Sequence, residues 1–140
     1  MTPLEALQAT LAGEHAAVYL TGVLGAQASK SRQPTLYAAL VASYDAHRAA
    51  RDRLTELVTD AGGTPVAAAV TYELPTAMAT VAELSDAALQ VERRITETYG
   101  SLVESTSGAV RRWALVALDS SAVRQLVFRG TPEMFPASAR

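Results

Sequence analysis

The chain has 140 residues, 49% of them hydrophobic, and no cysteine. That length and apolar share support a buried core and exclude a disordered tail-like chain, and the missing cysteines exclude disulfides, iron–sulfur clusters and thiol nucleophiles. Twelve basic and 14 acidic residues are interspersed, for a net charge of −2, so there is no basic stripe for nucleic acid to follow.

The N-terminus, MTPLEALQ, has neither a basic nor an apolar segment of the kind that directs secretion. The uncharged run from Ala16 to Ser29 is shorter than the ~20 apolar residues that span a bilayer. A soluble cytoplasmic protein is the expectation, with no membrane partner. Thr2-Pro3-Leu4-Glu5 then opens a first helix, because threonine caps, proline suits the first turn and Glu5 completes a capping box. Leu4, Leu7, Leu11, Glu14, Val18, Gly22 and Gly25 recur at three- and four-residue steps, which predicts a helix over about 3–28.

Pro34 opens a second helix over about 34–61, ended by Gly62-Gly63. Its predicted inner stripe is Tyr37, Leu40, Val41, Tyr44, His47, Arg51, Leu54 and Val58. A third helix is expected over 76–105, with Val81, Leu84, Ala88, Val91 or Glu92, Ile95, Tyr99 and Leu102 inward. Ser107-Gly108 separates it from a fourth helix over 109–128, whose expected inner stripe is Trp113, Val116, Ser120, Val123 and Val127. The tail 129–140 holds two prolines and is expected to be irregular, pinned by Phe135. One domain over 1–140 follows.

The connections differ in length. Short turns join the first pair and the last pair, which makes each pair antiparallel. The middle connection, GGTPVAAAVTYELP, has about 14 residues and reaches at most about 46–50 Å. The second helix is about 42 Å long at about 1.5 Å per residue. The connection is therefore just long enough to run the length of a bundle and start the third helix parallel to the second. Val66, Val70, Tyr72 and Leu74 favour a strap that packs on the helices over a loose loop. Two short turns and one long crossover describe an all-α, ferritin-like four-helix bundle.

Di-iron members of that fold take a glutamate from each of two helices and a Glu-x-x-His pair from each of the other two. Glu14 and Glu92 lie on the predicted stripes of the first and third helices. His47 lies on the second, but Tyr44 stands where its glutamate is needed. The fourth helix has neither histidine nor glutamate, and its one carboxylate is Asp119. Arg48 and Arg51 add positive charge near His47. A site for iron or another divalent metal on Glu14, His47 and Glu92, assisted by His15 or water, is the alternative reading. The favoured one has no cofactor. In it, Glu14 and Glu92 bracket the cations of SYDAHRAARD (43–52), because buried charges must pair. Its members are Glu14, Tyr19, Tyr44, His47, Arg51, Asp52 and Glu92.

GEHAAVY (13–19), AHRAARDRL (46–54), TYELP (71–75) and VERRITETY (91–99) resemble a group of actinobacterial ferritin-like domains, over about Leu7 to Arg129. The resemblance implies a four-helix ferritin-like fold with no established activity. The pair 14–15 and the cluster His47, Arg51 and Asp52 match that group's polar positions. The expected function is a non-catalytic bundle acting by protein association as a homodimer, with Val23, Leu24 and Leu89 as candidate contact residues. The alternatives are a metal-dependent redox or hydrolytic enzyme with a reduced ligand set, and a small-molecule binder near Tyr19, Tyr44 and His47.

Overall fold

The computed structural model describes residues 1–129, and among these the chain is four helices with no strand. They are α1 (Pro3–Gln27), α2 (Pro34–Asp60), α3 (Val81–Ser105) and α4 (Gly108–Val127). The expectation of an irregular tail pinned by Phe135 lies outside the described residues. No described helix is long and apolar enough to cross a membrane.

Local chemistry sets three of the boundaries. Thr2 accepts from the Glu5 amide while Glu5 accepts from the Thr2 amide, a reciprocal cap at the start of α1. Thr80 and Glu83 repeat the device at the start of α3. The third helix therefore begins at Val81 and not at Thr76. The capping sequence Thr-x-x-Glu at 80–83 outweighs Pro75, and the connection lengthens to the residues between Asp60 and Val81. Gly62, at φ +86°, closes α2 in the left-handed conformation. Gly63 follows because a Cβ there would stand 2.8 Å from a Leu4 methyl.

The direction of each helix is readable from two apolar clusters. One gathers Leu7 and Leu11 of α1, Leu54 and Val58 of α2, and Tyr99 and Leu102 of α3. The other gathers Leu24, Leu40, Leu84, Ala88 and Phe128. So α1 runs from the first cluster to the second, α2 and α3 both run back, and α4 runs parallel to α1. Parallel α2 and α3 require the connection to travel the bundle's length. It does so along α1. Gln8 donates to the Thr64 carbonyl at 2.6 Å and accepts from the Val66 amide at 2.9 Å. His15 Nε2–H donates to the Val66 carbonyl at 2.9 Å, and Tyr72 packs on Tyr19 with ring centroids 5.4 Å apart. These bonds satisfy backbone groups that no helix serves.

α4 differs from expectation in its orientation. Ala114, Ser121 and Gln125 face inward, while Val116, Val123 and Val127 face out. Polar side chains win the inner position because α3 meets them with partners. Thr96 and Ser121 hydroxyls lie 2.9 Å apart, and the Gln125 amide donates to Thr96 Oγ1 at 2.8 Å.

Candidate functional site

Midway between the two apolar clusters, three helices place charge in the interior. Glu14, His47 and Glu92 are each fully buried. Each sits at the three- or four-residue step of its helix's inward stripe: Leu11 then Glu14 on α1, Ser43 then His47 on α2, Ala88 then Glu92 on α3.

His47 is the centre. Its Nδ1–H donates to Glu14 Oε2 at 2.7 Å and its Nε2–H donates to Glu92 Oε1 at 3.0 Å. Both carboxylates accept, so both ring nitrogens carry hydrogen and the ring is an imidazolium. Burial disfavours that charge, but the bonds to Glu14 and Glu92 and their negative charges outweigh it, and the His47 pKa is pushed up to about 9. For Glu92, burial acts to raise the pKa. His47, then Arg124, then the Ser43 hydroxyl act the other way and hold it below the ordinary carboxylate value.

The outer members complete the cluster. Tyr99 O–H donates to Glu14 Oε1 at 2.6 Å, and burial followed by the Glu14 charge raises the phenol's pKa, so it stays protonated. The Tyr99 ring meets Trp113 edge-on at 5.7 Å. Ser43 Oγ–H and Arg124 Nε–H both donate to Glu92 Oε1, at 2.5 and 2.9 Å. Two carboxylates face one imidazolium and one guanidinium, so the cluster is neutral, as an interior group of charges must be to persist. Three donors share Glu92 Oε1, and Glu92 Oε2 is buried with no partner among the described residues.

Of the seven side chains expected in the network, Glu14, His47 and Glu92 come together and four do not. Arg51 turns to the surface and forms a two-bond grip on its neighbour Asp52, which is 67% exposed. The four-residue step from His47 overshoots a turn by about 40° and carries Arg51 off the stripe, and half-buried Ala50 takes its place beside the core. Tyr19 packs under the crossover against Tyr72. Tyr44 is half-buried, its ring facing the Arg48 guanidinium. Ser43, Tyr99 and Arg124 stand in their place. Ser43 was legible as the residue four before His47, and Tyr99 as the one seven after Glu92. Arg124 was not, because it belongs to α4, whose orientation was misassigned. His15 holds the crossover and points away from the cluster.

The contact residues expected on the surface also move. Leu24 and Leu89 are buried, and Val23 is half-buried. Ala6 and Ala17 of α1 and Ala88 of α3 are buried in the core, and α4 carries the exposed large apolar residues Leu115, Val116, Val123, Leu126 and Val127.

The chain belongs to the family described as domain of unknown function DUF4439, which matches residues 6–140. It is similar in structure to a conserved hypothetical protein, rv2844, from Mycobacterium tuberculosis. The TM-score is 0.82 at 28% identity, covering 90% of this chain and 93% of that one. No curated protein matches the chain.

Proposed function

We propose that this protein is a ferritin-like bundle in which an internal ion cluster occupies the place of a metal centre, and that it acts by association with protein and not by catalysis. The observation that carries the reading is His47 bonded through both ring nitrogens to Glu14 and Glu92. The parallel α2 and α3 and the long crossover support the ferritin-like assignment.

A divalent metal, which that fold implies, does not fit these residues. An imidazolium has no lone pair for a metal. Both Glu14 oxygens hold donors, and Glu92 Oε2 is the one open carboxylate oxygen of the cluster. The Arg124 guanidinium lies against Glu92 where a second cation would be needed. Among the described residues no group of three or more His, Cys, Asp or Glu side chains is arranged to hold a metal ion.

The test is protein purified without chelator, challenged with iron(II) or manganese(II), and dialysed. Elemental analysis is expected to find far less than one metal per chain. Two His47 ring N–H resonances are expected in the nitrogen–proton NMR spectrum at pH 7. One tightly held metal per chain, with loss of either resonance, would overturn the reading in favour of a reduced metal centre.

A further inference from the structure

α4 carries apolar side chains on both its faces, and among the described residues only one face is covered. It packs chiefly on α3, with little from α2. Ala114, Ser121 and Gln125 form the covered side. At about 100° per residue, Val116, Val123 and Val127 fall within about 20° of one line on the opposite side. They are 67%, 56% and 56% exposed, and Leu115 and Leu126 flank them. A helix with apolar residues all round belongs in an interior. Among the described residues the rest of the chain does not supply one.

The same outward face carries two charges at helical spacing. Arg112 and Asp119 are seven residues apart, hence two turns, and lie on the same flank of the valine line at about 40° and 60° from it. Both are exposed. An antiparallel copy related by a two-fold axis keeps each flank on its own side. With the axis passing between Leu115 and Val116, Arg112 of each copy comes opposite Asp119 of the other, twice over. Val116 then packs at the axis and Val123 comes level with Gly108. Moving the axis to Asp119 would align more valines but would set the two carboxylates against each other. Like charges placed opposite each other at an interface repel and select against that register.

We infer that the outward face of α4 is a homodimer contact, in which two copies pack antiparallel about Val116 and exchange Arg112–Asp119 ion pairs. The inference rests on the association reading above and names its partner and its surface. A two-fold contact uses the same patch twice, and this patch is complementary to itself in charge. A single pair of helix faces is smaller than the ~800 Å² per partner of a standard interface, so the dimer is reversible, with a Kd on the order of micromolar.

Sedimentation of the full chain across concentration tests this. The wild type is expected to pass from monomer to dimer. Arg112→Glu and Asp119→Arg should each weaken the dimer about tenfold or more, and the double variant should return to within about threefold of wild type. Val116→Glu should leave monomer only, with an unchanged circular dichroism spectrum. A dimer that none of these variants alters overturns the α4 contact while leaving protein association standing. Failure of the double variant to recover overturns the paired-charge geometry. A wild type that stays monomeric at millimolar concentration overturns the contact and the homodimer reading together.

Discussion

α3 and α4 pack against each other, yet only one of them shows its inner face in the sequence. On α3, Leu84, Ala88, Glu92, Ile95, Tyr99 and Leu102 are buried, at the steps the spacing predicts. On α4 the predicted stripe of Val116, Val123 and Val127 points to solvent, and Ser121 and Gln125 point in. The difference lies in contrast. α3 alternates apolar runs with Glu83, Asp86, Arg93, Arg94 and Glu97, so one face is far costlier to bury than the other. α4 has valine, leucine and alanine on every side, so apolarity alone leaves its rotation undetermined. Complementary hydroxyl and amide partners across the pair then decide it.

The sharpest way to break that comparison is to remove the charge that α3 carries inward. Glu92→Gln keeps an acceptor oxygen but leaves the His47 imidazolium and the Arg124 guanidinium without their shared negative charge. The expected loss is about 3–5 kcal/mol by urea unfolding. A loss under about 1 kcal/mol would mean that the cluster is not held as described.

The cluster should also show in the pH dependence. The folded pKa of His47, about 9, lies above its unfolded value of 6.5. Its contribution is therefore complete below pH 6.5 and is lost as pH rises through 9. Glu92 shifts downward, so its contribution is present above the ordinary carboxylate value and is lost as pH falls below it. We expect stability to fall by roughly 2–4 kcal/mol between pH 7 and pH 10. In His47→Gln that slope should largely vanish, and an equal slope in the variant would assign it to other groups.

Three smaller substitutions sharpen the comparison. Ser121→Ala removes the inward hydroxyl that α4 shares with Thr96 and should cost about 1 kcal/mol. Thr80→Ala removes the cap that starts α3 and should cost a similar amount, about 1 kcal/mol. Smallest of all, Val127→Thr on the outward side should change monomer unfolding by less than about 0.5 kcal/mol. If Val127→Thr proved costlier than Ser121→Ala, α4 would be rotated relative to this structure.

The helix count, most of the helix ends and the travel of the crossover were legible from the chain alone. Each rests on local steric rules: Pro3 and Pro34 at helix starts, Gly62 at a helix end, and a connection long enough for one topology. The missed start of α3 was local as well, and Thr80 with Glu83 carried the information. Within the candidate site, Glu14, His47 and Glu92 could be singled out because a charge on an apolar stripe must find a partner. Which partner it finds is a matter of distance across helices. Arg51 and Arg124 are the same residue type; Asp52 beside Arg51 offers it a local partner, but nothing near Arg124 in the chain says that it reaches Glu92. Periodicity along the chain determines which faces a helix has. Only packing in three dimensions decides which face is covered and which guanidinium stands within bonding distance of a buried acid, because those energies depend on contacts between segments that are remote in the chain.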